Sequence, residues 1–184
     1  MTMRELVKID ADLSARLRLA PGQHRLWRGI VFLAHSGDSW FWLAGLFIIW
    51  LVGWNTIWQT RAALMAAGVV ALAAGVLAIK FLVRRQRPPG EWGAIYRNTD
   101  PHSFPSGHAA RAFLLAVVAL GIGPPWFGLL LLVWAPFVCI ARVGTGVHYL
   151  SDVVAGMLLG ILGGWLTLLA RPVLFSLFPV VFGM

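Results

Sequence analysis

The stretch that decides the fold is TRAALMAAGVVALAAGVLAIKFLV, residues 60–83. Between Arg61 and Lys80 it carries no charge and is built of Ala, Val, Leu, Ile, Met and Gly. About 20 such residues cross the hydrocarbon core of a bilayer as a helix. This segment reads as a membrane-spanning helix, and the chain around it repeats the pattern. Apolar segments run from about 26 to 36 (LWRGIVFLAHS), 39 to 54, Ser103 to the GIGPP turn, 126 to 141, and 149 to 170. The shorter ones need a thinned bilayer or help from their neighbours. Segment 26–36 is the shortest and carries Arg28, so it either barely spans or lies partly in the interface.

The expected fold class is all-α: an integral membrane helical bundle of about six helices. Residues 1–21 stand apart from it. Leu6, Ile9, Leu13 and Leu17 recur at helical spacing among charges, and Pro21-Gly22 ends the pattern. This is expected to be an amphipathic interfacial helix, with 22–184 as one membrane-embedded domain. The first twenty residues are too charged to hold the apolar core of a cleavable signal peptide, so insertion is expected through the first membrane helix.

Composition agrees. Hydrophobic residues are 59% of the 184 and charged residues 12%, about half the charged share of soluble proteins. Part of that apolar surface must be covered by lipid. The net charge of +8 raises the question of nucleic acid. The 15 Lys and Arg do not form one stripe interleaved with aromatics, so no nucleic-acid partner is expected. The ten Trp and eleven Phe sit in or beside the apolar runs, as aromatics at a membrane interface do. Cys139 is the single cysteine, which excludes an intramolecular disulfide.

Ionisable residues are costly inside a membrane and mark functional candidates. Three clusters qualify. In KFLVRRQRP, Lys80 and Arg87 are seven residues apart, which puts both on one face if the helix continues. Two cations on one face suit a phosphate. The competing reading is that Arg84, Arg85 and Arg87 anchor the helix end in headgroups. In FPSGHAAR, Ser106 is an N-cap, Gly107 allows close backbone approach and His108 can give or take a proton. A helix N-terminus there suits an anion; the competing reading is a capped helix start with an interfacial histidine. In ARVGTGVHYLSD, His148 and Asp152 are four apart and meet on one face if helical. A carboxylate on one ring nitrogen makes the other a better nucleophile or base. Arg142 precedes them across a glycine-rich turn, free to fold over an anion. The competing reading is a structural His–Asp pair.

Together and in this order, the clusters resemble the signature of the type 2 phosphatidic acid phosphatase family of membrane lipid phosphatases: K-x6-R-P, P-S-G-H and S-R-x5-H-x3-D. They stand here as Lys80 to Pro88, Pro105 to His108, and Arg142 to Asp152, with every internal spacing kept. The likeness covers roughly residues 40 to 170. Ala141 replaces the serine of the third motif.

The resemblance implies that His148 attacks phosphorus and becomes phosphorylated, with Asp152 orienting it. His108 protonates the leaving oxygen and then activates water. Lys80, Arg87, Ser106, Gly107 and Arg142 hold the phosphoryl oxygens, the cationic cradle that phosphoryl transfer asks for. No cofactor or metal is expected, since no carboxylate cluster suited to magnesium stands out and the family works without one. The expected partners are a lipid phosphate substrate and membrane lipids. Nothing in the sequence sets an oligomeric state.

If every segment spans, the three motifs fall on one side of the membrane, opposite the N-terminus. Lys and Arg then number eight on the N-terminal side and seven on the motif side. Setting aside three proposed to bind phosphate leaves eight against four. The positive-inside rule then puts the site on the extracytoplasmic face of a bacterial-type plasma membrane.

The leading reading is a phosphatase acting on undecaprenyl pyrophosphate, phosphatidylglycerol phosphate or phosphatidic acid. A vanadate-haloperoxidase-like enzyme shares the resemblance at the anion site, but the apolar segments argue against it. A non-catalytic lipid-binding protein is opposed by the presence of His108, His148 and Asp152. A phosphotransferase remains open.

Overall fold

The computed structural model describes residues 2–19, 24–89 and 100–183. Among these residues it holds eight helices: α1 (Met3–Arg16), α2 (His24–His35), α3 (Ser39–Val52), α4 (Ile57–Val83), α5 (Gly107–Ile122), α6 (Pro125–Gly144), α7 (Leu150–Leu177) and α8 (Pro179–Phe182). The all-α membrane bundle is what the apolar segments lead one to expect. Three helices, α4, α6 and α7, are long and apolar enough to cross a bilayer, and α3 and α5 are shorter apolar helices.

The bundle is organised around α5. Its Ala109, Ala110, Ala112, Ala116 and Ala119 are fully buried, and small residues let neighbouring membrane helices approach closely. The α7 helix lies nearest. Gly156, Gly160 and Gly164 face α5 at four-residue spacing; a Cβ on Gly160 would run into the Ala110 carbonyl, and one on Gly156 into that of Ser106. This approach lets the Ser106 N–H donate to the Asp152 carbonyl at 2.9 Å, so the fold joins the second and third motifs directly. Leu64, Leu114, Leu115 and Val118 fill the middle of the bundle without exposure. Outward faces are apolar, with Phe47, Leu82, Val133 and Leu166 all exposed.

Two ends can be told apart. At one end the aromatic and polar groups of α3 and α4 grip the C-terminal turn: Trp50 donates to the Val181 carbonyl (2.8 Å), Gln59 to Val180 (3.1 Å) and Thr60 to Phe182 (2.6 Å). There Arg61 also donates to the Ile122 carbonyl at 2.7 Å. The motifs occupy the opposite end.

Helix α2 does not cross between these ends. Before it, Leu19 N–H donates to the Gly144 carbonyl at 3.0 Å and Arg18 to Pro89 at 2.8 Å. After it, Asp38 meets His108. Both flanks therefore belong to the motif end, and twelve residues at 1.5 Å each give a helix of about 18 Å, too short to leave and return. Of the two readings of segment 26–36, partial insertion is the one the structure supports. The orientation argument above required this segment to span, and that condition is not met: the N-terminus lies at the same end as the motifs. Among the described residues, twelve Lys and Arg positions then belong to the motif end, while Arg61 and Arg171 alone belong to the other.

Candidate active site

Helix α4 stops at Val83, because Arg84 turns left-handed at φ 51°. Lys80 and Arg87 therefore do not share a helical face as their spacing suggests. The chain folds back, pinned by an antiparallel bridge between Gln86 and His102 and by Ser103 N–H donating to the Arg85 carbonyl at 2.8 Å. This return brings the two cations together by another route. Both donate to one oxygen, Oδ2 of Asp100: Lys80 through Nζ and Arg87 through a terminal nitrogen at 2.8 Å. Lys80 and Arg87 are themselves buried.

Ser106 is the N-cap of α5, its hydroxyl facing the Ala109 N–H at 3.5 Å. Gly107 and His108 open the helix at the wall of a cavity of about 190 Å³, which Lys80, Asp100 and Arg111 also line. Below them the wall is apolar, formed by Leu77, Val76, Ala73 and Leu72 of α4. A polar mouth thus passes into a lipid-like interior.

His148 precedes α7 rather than lying on it; Leu150 is the first helical residue. Gly146 supplies the left-handed turn (φ 72°) that a side chain would resist. Asp152 sits in the first turn, where its Oδ2 accepts from the Tyr149 N–H at 2.9 Å and faces His148 Nδ1 at 3.5 Å. The pair comes within ion-pair distance across a loop–helix junction, without the direct hydrogen bond that the spacing suggests. His148 Nε2 is thereby turned toward Arg87, 3.3 Å away. Burial first, then the charges of Arg142, Arg87 and Lys80, hold the imidazole well below its usual range. The uncharged imidazole is thereby favoured, the form a nucleophile needs. Arg142 ends α6, buried, with a contact at 3.5 Å to the Ala34 carbonyl. It acts electrostatically on both His108 and His148, so it belongs to both halves of the site.

Residues 61–175 match the family model of the PAP2 superfamily. The chain belongs to the PAP2 superfamily. A decaprenylphosphoryl-5-phosphoribose phosphatase of Mycobacterium tuberculosis is 37% identical over 148 residues, 76% of each chain. An undecaprenyl-diphosphatase of Sulfolobus acidocaldarius is 30% identical over 145 residues, 77% of this chain and 67% of that one. The crystal structure of a transmembrane PAP2-type phosphatidylglycerolphosphate phosphatase from Bacillus subtilis superposes with a TM-score of 0.72 at 25% identity, covering 89% of this chain and 84% of the other. This PAP2 protein is a membrane phosphatase that hydrolyses a lipid phosphate.

Several residues at the PAP2 site were not singled out in the sequence. Asp38, on the turn between α2 and α3, holds His108 Nε2 at 2.5 Å through Oδ1 and His35 Nδ1 at 3.3 Å through Oδ2. Arg111, one turn beyond His108, is buried and donates to the Gly37 carbonyl. A cation within an apolar helix was a visible signal for Arg111. Asp38 left a weaker one, a lone acid between two apolar segments.

Proposed function

We propose that this phosphatase works through a phosphohistidine at His148 and acts on a phosphate or pyrophosphate carried by a polyprenyl-type lipid, at the cytoplasmic face. The observation that carries the chemistry is the convergence of Lys80 and Arg87 on one anionic oxygen of Asp100, beside the Nε2 of His148. An oxygen of a phosphoryl group suits the same pair.

In the first step His148 Nε2 bonds to phosphorus as the bond to the leaving oxygen breaks, and His108 gives that oxygen its proton. Asp152 holds the imidazole so that Nδ1 carries the proton and Nε2 the lone pair. Lys80, Arg87 and Arg142 neutralise charge on the three equatorial oxygens, which Ser106 and Gly107 help to hold, the main demand of phosphoryl transfer. In the second step His108 takes a proton from water, whose oxygen attacks phosphorus as the N–P bond breaks. The cradle supplies the positive charge, so the proposal is metal-independent.

The cytoplasmic face is supported by the charge distribution: apart from Lys80, Arg87 and Arg142, nine described Lys and Arg positions belong to the site end against two at the other. The polyprenyl class is supported by the names of two relatives that match over 76% and 77% of this chain and by the apolar wall below the catalytic residues.

The test is phosphate release by purified protein in detergent, with chelator present, from polyprenyl-linked phosphates, phosphatidylglycerol phosphate and phosphatidic acid. Polyprenyl phosphates should turn over fastest, and His148→Ala should be inactive on all. Substantial turnover by His148→Ala would sink the phosphohistidine. Preference for a phospholipid would reassign the substrate.

A further inference from the structure

Arg85 has no part in the chemistry above, yet its guanidinium is held on several sides. One terminal nitrogen donates to Asp152 Oδ1 at 2.7 Å and to the Ser151 hydroxyl at 2.6 Å. The other donates to Asp10 Oδ2 at 2.6 Å, and the guanidinium stacks 4.0 Å over the Tyr149 ring. A headgroup anchor would point outward. Arg85 instead joins two carboxylates, one of them fully buried beside His148.

The second carboxylate comes from α1. Asp10 also accepts from the Ser151 N–H (3.0 Å) and hydroxyl (2.5 Å), and Ser14, one turn on, accepts from the Leu150 N–H at 2.8 Å. The first N–H groups of α7 have no partner within their own helix. Two side chains of α1 satisfy them, and Asp10 places a negative charge at the positive end of α7. The first turn of α7 is where Asp152 sits. Meanwhile Leu6, Val7 and Leu13 of α1 and Leu17 just after it remain exposed, the face an interfacial helix turns to lipid.

We propose that Arg85 and Asp10 are positioning residues for the nucleophile: Asp10 fixes Arg85, Arg85 fixes Asp152, and Asp152 orients His148. The N-terminal helix is then part of the active site. The inference rests on the roles proposed for His148 and Asp152. The carboxylate of Asp152 has two oxygens, one facing His148 and the other taken by Arg85. Loss of Arg85 frees the carboxylate to rotate, and loss of Asp10 frees Arg85 to swing away. Neither change touches the phosphate cradle.

The test is steady-state kinetics of Asp10→Asn, Arg85→Gln, Arg85→Lys and the Asp10→Asn/Arg85→Gln double variant, with tungstate as competitive inhibitor. Asp10→Asn keeps the shape of the side chain and guards against misfolding. Each of Asp10→Asn and Arg85→Gln should lower kcat about tenfold or more, as misplaced reacting groups do. KM and the tungstate inhibition constant should stay within about twofold, since substrate binding is untouched. The double variant should be no slower than Arg85→Gln, because both act through one chain of contacts. Arg85→Lys should recover part of the loss, and Arg84→Gln, which removes an exposed charge next door, should be fully active. Additive losses, a rise in KM with kcat unchanged, or full activity of Asp10→Asn and Arg85→Gln would each overturn the inference. An active His148→Ala would instead overturn the roles on which it rests.

Discussion

His108 Nε2 lies 2.5 Å from Asp38 Oδ1, seventy residues upstream on the turn that follows α2. The proposed acid thus has a carboxylate partner of its own, as the proposed nucleophile has Asp152. The two His–Asp pairs come from different elements, one from α5 with the α2–α3 turn and one from the start of α7.

The partnership predicts a substrate-dependent defect in Asp38→Asn. Proton donation contributes about 10²–10⁴-fold to rates and matters most for a poor leaving group. Asp38→Asn should slow hydrolysis of an alkyl phosphate by tenfold or more, and that of p-nitrophenyl phosphate by only a few fold in its first step. Rapid-quench detection of phosphohistidine measures that step. Equal slowing of both substrates would remove Asp38 from proton transfer.

A second prediction concerns pH. As the proposed nucleophile, His148 must be unprotonated to attack, and burial with the nearby Arg142, Arg87 and Lys80 holds its pKa well below the ordinary imidazole value. As pH falls, kcat/KM should therefore hold until below the ordinary imidazole range and then decline. Arg87→Gln removes a cation 3.3 Å from Nε2, so His148 should bind its proton more readily and the decline should begin at higher pH. Comparing the two profiles on one substrate cancels the ionisation of the phosphate itself. An unmoved or lowered acid limb in Arg87→Gln would contradict this account of His148.

The glycine stripe of α7 gives a stability prediction. A Cβ at Gly160 would strike the Ala110 carbonyl, which is backbone and cannot step aside. Gly160→Ala should destabilise the protein by about 1–3 kcal/mol, the usual cost of overpacking, read as a lower Tm in detergent. Activity should fall with it, since α7 carries Asp152. Gly75→Ala on α4, where nothing lies within 4 Å, should be neutral or mildly stabilising because Ala favours helix.

Orientation can be read by thiol labelling in a Cys139→Ala background. Trp126→Cys at the exposed start of α6 should react with an impermeant reagent on intact cells. Lys8→Cys on α1 should react only after the membrane is opened. The reverse pattern would place the site outside and restore the extracytoplasmic assignment.

The membrane helices were legible because spanning is a local property: the transfer of some 20 apolar residues into lipid depends on those residues alone. The three motif clusters that hold Lys80, Arg87, Ser106, His108, Arg142, His148 and Asp152 were legible for a related reason, since each is a short run whose residue types and spacings read together. Even so, two of the local geometries differ from what spacing suggests. Arg87 reaches Lys80 through a reversed loop and a shared Asp100, not a helical face, and His148 meets Asp152 from outside the helix.

What the sequence determined by itself is therefore an all-α membrane bundle carrying the motifs of a lipid phosphatase family. What only the tertiary structure decided is which groups contact those residues, and that they share one end of the bundle with α1. Asp38, Arg111, Arg85 and Asp10 each work across tens of residues of chain, at contacts set by how helices pack and not by any local pattern. The course of α2 is of the same kind. Its composition permits both crossing and lying in the interface, and the choice comes from contacts at its two flanks, with Gly144 on one side and His108 on the other. That choice moves the N-terminus to the active-site end, and with it most of the positive charge.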